Sequence, residues 1–325
     1  MGGSYWDDDK FNKRTADRAK KKEDAFKFDS DIRSGAAAAG THPKMNPKGV
    51  TRESRDSAAH PESLAIMVMM DVTGSMRSTP RIFQQNLKKL MNLLINKEYV
   101  AHPQILFGAI GDAYSDSASS QVGQFESGIE MDEDLGRLYL EGRGGGSGEE
   151  SYDLALYFAA RHTLIDCLEK RGKKGYLFII GDERHYPKVS ADQAKQIFGD
   201  REVKSDIPIE YIAKDAMAKY EVFFVMPKQT HNWGRQTTLD MWAKLLGQDR
   251  VLTLEEPSAI SELIALTIGV TEGKTTLADG LKDLAEVTSE ASEAIAKSLA
   301  KVRANKTTEK PVAGSKPKKG KKYRI

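Results

Sequence analysis

The sequence predicts an α/β fold: a doubly wound, mostly parallel sheet with one antiparallel edge strand, plus helical and disordered extensions. Three observations predict it. Short, unbroken apolar runs at residues 64–70, 105–110, 176–180, 222–226 and 251–254 read as strands buried on both faces. Segments with apolar residues at helical spacing separate most of them, as parallel strands joined by right-handed crossovers require. One more polar run, 121–129, follows its predecessor so closely that an antiparallel return is the natural connection.

Residues 1–60 form a polar extension of mixed charge, broken by the Gly35-Ala-Ala-Ala-Ala-Gly40 link. Residues 8–25 carry a weakly amphipathic helical pattern. The sparse apolar residues Tyr5, Trp6, Phe11, Phe26 and Phe28 could dock on a domain, and a largely disordered extension is the competing reading. Residues 61–270 hold the alternating pattern. Strand 64–70 leads to a helix in which Phe83, Leu87, Leu90, Met91, Leu94 and Ile95 recur at helical spacing. The second strand, 105–110, runs into Gly111-Asp112-Ala-Tyr-Ser-Asp116. After the edge strand, a helix at 132–140 reaches the glycine-rich stretch 142–148. The segment 151–170 is apolar on most sides and predicts a deeply buried helix. Strand 176–182, helices near 190–198 and 209–219, strand 222–226, helix 237–247, strand 251–254 and helix 258–268 complete the domain. Residues 271–303 carry one more helical pattern. Thr, Ala and Ser stand among its stripe positions, so a coiled coil would be weak and packing on the domain or on a partner helix competes with it. The basic tail 304–325 reads as disordered.

The chain has 325 residues, 39% of them hydrophobic, and a single cysteine, Cys167. One cysteine rules out an intramolecular disulfide framework and suits a reducing cytosol. No apolar run approaches the ~20 residues that span a bilayer. The N-terminus has no basic-then-apolar signal pattern, so a cytoplasmic location is expected. The net charge of +2 hides segregation. Residues 301–325 carry ten Lys/Arg against Glu309 alone, and residues 1–60 carry thirteen basic and ten acidic residues, which leaves −10 for residues 61–300.

The first strand ends in Asp71-Val-Thr73-Gly-Ser75. At the carboxyl end of a parallel strand these three side chains can face one pocket, where open α/β sheets bind ligands. One carboxylate with two neutral hydroxyls is a hard, oxygen-only, incomplete shell that suits Mg²⁺ or Mn²⁺. The alternative is that Asp71 and Ser75 simply cap the following helix. Asp182, at the end of another apolar strand, favours the metal reading. Asp112 and Asp116 end the second strand and could support the site from behind its direct ligands, or could build an Asp- and Ser-rich turn.

On these residues the chain resembles the von Willebrand factor A (vWA) family, whose metal-ion-dependent adhesion site (MIDAS) opens with Asp-x-Ser/Thr-x-Ser. The resemblance covers about 210 residues and includes the strand order and the single antiparallel edge strand of that Rossmann-like fold. It implies a metal site built by three loops: Asp71, Thr73 and Ser75 from the first and Asp182 from the third. The second loop departs from the family's glycine-threonine pattern. Ser147 is the choice there, and Glu149 is the rival, which would make the site more anionic and less in need of an outside carboxylate.

Three functions compete. The first is a metal-dependent protein-protein interaction module, an adaptor whose divalent cation takes an Asp or Glu of a partner. The resemblance implies AAA+ ATPases of the MoxR or chelatase type as a partner class. The second is a metal-dependent hydrolase with Asp71, Asp112 and Asp182 around the ion. Only Glu183 and His185 offer a base, neither within a motif, so no enzyme is expected. The third is nucleic-acid binding through the tail 301–325, which has one aromatic, Tyr323, and so little capacity for base stacking. The glycine-rich 142–148 lacks the Lys-Ser/Thr ending of a phosphate loop and follows a helix, which argues against a nucleotide site. His162 reads as a core histidine, His185 as a surface loop histidine that could reach the rim of the site, and Trp233 as an exposed interface aromatic or a core one.

Overall fold

The computed structural model describes residues 4–76, 78–142, 148–228, 232–285, 292–300 and 302. The chain begins with α1 (Asp8–Lys21), α2 (Lys27–Arg33) and a short strand β1 (Arg52–Ser54). The domain proper starts at β2 (Leu64–Asp71), continues through α3 (Thr79–Gln85), α4 (Leu87–Asn96), β3 (Pro103–Ile110) and β4 (Ser120–Val122), and reaches α5 (Glu130–Gly136). Then come β5 (Glu149–Glu150), α6 (Tyr152–Arg161), β6 (Thr163–Ile165), α7 (Asp166–Arg171), β7 (Gly175–Ile180), β8 (Arg184–His185) and β9 (Lys188–Val189). The rest is α8 (Ala191–Gln193), β10 (Ile207–Pro208), α9 (Ile209–Lys219), β11 (Tyr220–Pro227), α10 (Gln236–Leu246), β12 (Val251–Leu254), α11 (Ile260–Thr271), α12 (Leu277–Ala285) and α13 (Ser292–Leu299).

Among the described residues, six strands form one sheet in the order β12-β11-β7-β2-β3-β4. Every pairing in it is parallel except β3 with β4. The fold is thus the doubly wound, mostly parallel sheet that the apolar runs predict. Strands β2, β3, β7 and β11 are buried along their whole length, because an interior parallel strand has helices over both faces. The step from β2 to β3 and the step from β7 to β11 run in opposite directions across the sheet. Right-handed crossovers therefore put α4 and α9 on opposite faces. Helix α11 packs beside α4, and α6 beside α9.

Several elements differ from their expected form. The edge strand is only three residues long, and beyond Val122 the chain keeps to β3 through the Gly123 amide on the Phe107 carbonyl at 2.9 Å and an isolated antiparallel bridge between Glu126 and Ile105. The helix expected over 151–170 is interrupted at residues 162–165. Thr163 donates its hydroxyl to the Ala159 carbonyl at 2.7 Å and accepts from the Tyr220 hydroxyl at 2.7 Å, while residues 163–165 pair in parallel with β1. The apolar residues of α6 are buried on all sides, so their spacing does not reveal the break that follows. The N-terminal extension is docked. Phe11 and Phe26 are buried in the common core. Asp132 of α5, fully buried, holds Arg14 at 2.8 Å and Arg18 at 2.5 Å and accepts from the Gln84 amide at 2.8 Å. Arg81 of α3 grips Asp24 at 2.7 Å. The C-terminal helices α12 and α13 lie against α11 and each other, and Asp283 binds Lys97 at 2.9 Å and the Tyr99 hydroxyl at 3.0 Å. No helix among the described residues is long and apolar enough to cross a membrane. The tail 304–325 lies outside the described residues.

Candidate functional site

The register of the central strands brings three loops together. Asp71, the last residue of β2, pairs with Ile110, the last of β3, and Met70 pairs with Ile180, the last of β7. Asp112 and Asp182 therefore each stand two residues beyond a strand that flanks β2. From β2 the chain goes to β3 on one side, and β7 lies on the other. The sheet thus switches direction between β2 and β7, which is where open α/β sheets form a ligand crevice.

Asp71 is fully buried. Its Oδ1 accepts from the Thr73 amide at 2.8 Å and the Thr73 hydroxyl at 2.6 Å, and its Oδ2 accepts from the Tyr152 hydroxyl at 2.5 Å. The turn is local, made by a carboxylate folding onto the amide two residues on. Helix α3 begins later, with Ser78 at its cap position, so Asp71 organises the loop and does not cap that helix. Ser75 lies in a short 3₁₀ turn, Gly74–Met76. Burial raises the Asp71 pKa, the Thr73 and Tyr152 hydrogen bonds lower it, and the charge of Asp182 raises it again, leaving it at about 7.

Asp182 is also fully buried and accepts from the Asn232 amide at 3.3 Å. Gly181, before it, is where the Tyr152 ring passes; any Cβ there would collide with that ring. Glu183 binds the Asn232 side-chain amide, its own amide donates to the Tyr152 hydroxyl at 3.4 Å, and its carbonyl accepts from Trp242 Nε1 at 3.1 Å. Burial and then Asp182 raise its pKa.

In the second loop, Ser147 lies outside the described residues, and Glu149 is half-buried in β5. The residue that sequence reasoning passed over is Glu150. Its side chain is 5% exposed and its Oε2 has no hydrogen-bond partner. Burial first, then the charges of Asp71, Asp112, Asp116 and Glu183, push its pKa far above the usual carboxylate range. Its neighbours fix its place. Ser151 Oγ accepts from the Ala113 amide at 2.9 Å, and Tyr152 reaches Asp71. Glu150 therefore stands between the loops that follow β2 and β3.

Asp112 and Asp116 build the turn after β3. Asp112 accepts from the Tyr114 amide at 3.1 Å, the Ser115 hydroxyl at 2.9 Å and the Tyr186 hydroxyl at 3.1 Å, and Asp116 accepts from the Asp112 amide at 2.7 Å. Both carboxylates are spent in part on the turn, while their charges still act on Glu150. The exposed aromatic beside the site is Tyr114, 63% exposed and 4.8 Å from the Tyr186 ring; Trp233 is half-buried against the core. His185 is not a surface loop residue: it lies in β8 and is buried, its ring against Trp242 at 5.0 Å, with Nδ1 on the Tyr186 carbonyl at 2.9 Å. Burial lowers its pKa. His162 closes α6 with Nε2 2.8 Å from Asp200, away from these loops.

The donor types suit a hard divalent cation: the carboxylates of Asp71 and Asp182 and the lone pairs of the Thr73 hydroxyl. Among the described residues, no group of three or more His, Cys, Asp or Glu side chains is drawn closely enough together to hold a metal. The orphaned Glu150 oxygen, buried among carboxylates, is the observation that a cation fits.

No protein-family model matches the chain, and no curated protein matches it. Among solved structures, proximal thread matrix protein 1 from the mussel byssus is similar over 63% of this chain and 47% of its own, at TM-score 0.43 and 11% identity. The pilus adhesin SpaC from Lactobacillus rhamnosus GG is similar over 69% of this chain and 32% of its own, at TM-score 0.43 and 12% identity. The chain spans less than half the length of either protein.

Proposed function

We propose that this chain is a vWA-type, metal-dependent protein-binding module. Asp71, Thr73, Ser75 and Asp182 would hold Mg²⁺ or Mn²⁺ at the strand ends, with the residues after β3 supporting them, and an Asp or Glu of a partner protein would complete the shell. One observation carries the reading. Two fully buried carboxylates, Asp71 at the end of β2 and Asp182 two residues beyond β7, stand on adjacent parallel strands at the switch point of the sheet, and Glu150, in the strand that precedes Tyr152, is buried with no hydrogen-bond partner for its Oε2. Burying like charges together is costly unless a cation balances them. The ion would supply a fixed positive charge with exchangeable coordination; the chain's own residues orient it and exclude bulk water around it.

The test is titration calorimetry with Mn²⁺ on the wild type and on Asp71→Ala. Binding should be lost in the variant, and equal affinity would remove the site assignment. A pull-down with and without EDTA then tests the partner, with AAA+ ATPases of the MoxR or chelatase type as the first class to examine. On this reading the chain has no hydrolytic activity of its own. Turnover of ATP or a phosphodiester that Asp182→Ala abolishes would replace it with the hydrolase.

A further inference from the structure

We propose that the aromatic pair Tyr114 and Tyr186, with the carboxylates of Asp112 and Asp116 beside it, is a docking surface for the basic C-terminal segment of the same chain, residues 303–325. The inference goes beyond the metal-binding reading and requires no cation.

Four large apolar or aromatic side chains are exposed among the described residues: Tyr5, Tyr114, Leu164 and Tyr211. Of these, Tyr114 lies in a loop that directly follows a strand of the main sheet, and it is 63% exposed. Its place is fixed from below. The Tyr114 amide donates to Asp112 Oδ1 at 3.1 Å, and the Tyr186 hydroxyl donates to the same oxygen at 3.1 Å. The two rings then stand 4.8 Å apart at 60°. The loop itself is tied by the Ala113 amide on Ser151 Oγ at 2.9 Å and the Asp112 amide on Asp116 at 2.7 Å. An aromatic face held in place while open to solvent loses little freedom on binding, and such side chains carry much of the energy of interfaces.

The neighbouring carboxylates set the charge of what binds. Asp112 accepts from the Tyr114 amide and the Ser115 and Tyr186 hydroxyls, and Asp116 from the Asp112 amide and the Ser115 hydroxyl. All of these donors are uncharged, and among the described residues neither carboxylate has an ion-pair partner. Lys188, two residues past Tyr186, is engaged by Asp206 at 2.6 Å. A Lys or Arg side chain laid on the Tyr114 face meets the ring's negative quadrupole and both uncompensated carboxylates.

The chain's own C-terminus supplies such side chains within reach. Residues 301–325 carry ten Lys/Arg against Glu309 alone. They follow α13, whose last-turn Lys297 binds Glu255 at 3.3 Å. Glu255 is the first residue beyond β12, and β12 runs parallel to β11, β7, β2 and β3. The segment therefore sets out from the end of the sheet at which Tyr114 stands. Four strand spacings separate β12 from β3, or ~19 Å at ~4.8 Å each. A segment of this length reaches ~75 Å when fully extended. The linkage keeps its cations near the rings at ~mM effective concentration. Docked there, it lies beside the crevice between β2 and β7 and shields its rim, so its removal should leave partner capture intact or stronger.

The experiment uses the full chain, freed of divalent cations so that its outcome is independent of the metal-binding test. Zero-length carbodiimide cross-linking joins lysine amines to carboxylates in contact, and mass spectrometry maps the joined residues. Lysines of 303–325 should link to Asp116 or Asp112 in the wild type. The yield should fall about fivefold in Tyr114→Ala and stay within about twofold in Tyr114→Phe, which keeps the ring face. Far-UV circular dichroism checks that both variants fold. A second measurement leaves the loop untouched: in full chain carrying Lys316, Lys318, Lys319, Lys321 and Lys322→Glu, amides of residues 111–119 should exchange faster than in wild type while β2 and β7 keep their protection. Links that fall on other acidic residues, a yield unchanged by Tyr114→Ala, or exchange of 111–119 unaffected by the charge reversal would overturn the proposal. A yield that rises with protein concentration would assign the contact to two copies and overturn docking within one chain.

Discussion

Burial decides what each carboxyl near the strand ends can do. Asp153, in the first turn of α6, is fully buried and neither of its side-chain oxygens has a hydrogen-bond partner. Burial pushes its pKa well above the carboxylate range. The amides of Asp153 and Leu154 pull the other way, and the charge of Asp112 adds to burial. A carboxyl that stays protonated in the fold but ionises in the unfolded chain costs stability at pH 7. The cost fades as pH falls towards the unfolded value of about 4. Asp153→Asn removes it, so the variant should melt higher than wild type at pH 7, with an advantage that vanishes by about pH 4. At about 1.4 kcal/mol per pKa unit the ceiling is about 4 kcal/mol; a melting difference that is constant across this range would contradict the account. Tyr152→Phe removes the donor to Asp71 Oδ2 and keeps the ring that packs at Gly181. In urea it should cost about 1–2 kcal/mol. Legibility at this scale follows sequence distance. Asp71 and Thr73 contact each other two residues apart, so the motif can be read directly. Tyr152 reaches Asp71 across 81 residues, and nothing in the sequence says which of Glu149 and Glu150 turns inward.

The elements divide in the same way. Parallel strands buried on both faces have to be apolar throughout, so the strands of the sheet core stand out in the sequence, while β4, a three-residue edge strand, blurs into the polar run after it. The break between α6 and α7 is hidden because it is set by a distant partner, β1, in an extension whose composition does not announce a docked segment. What holds that extension is ionic as much as apolar. Asp132 is fully buried under Arg14, Arg18 and Gln84, and the two arginines are only partly exposed. Asp132→Ala leaves both guanidiniums without their buried partner. It should cost about 2–3 kcal/mol, below the value for fully buried pairs because solvent still reaches the arginines. Hydrogen exchange should localise the damage: residues 8–33 should exchange faster, while β2, β3, β7 and β11 should keep their protection. Uniform loss of protection across the sheet would mean that α1 and α2 are part of one cooperative unit with it.

For the whole molecule, charge and chemistry pull in opposite directions. Residues 61–300 carry −10, and the partner envisaged here also presents an acidic side chain. Long-range electrostatics would keep the two apart, so on the proposed reading the attraction would arise at contact, through a cation held by Asp71 and Asp182. Such a bond is short-ranged and partly buried, and salt screens it little. The repulsion between bodies acts over longer distances and is screened beyond about 8 Å at physiological ionic strength. Partner capture should therefore hold or improve as salt rises from about 0.05 to 0.3 M, the reverse of a contact made by a basic tail. It should fail in EDTA and in Thr73→Ala, with far-UV circular dichroism unchanged, and should survive removal of residues 304–325. Binding that ignores EDTA, weakens steeply with salt and disappears with those residues would assign recognition to the ten basic residues of the C-terminal segment and leave the strand-end carboxylates with a structural role only.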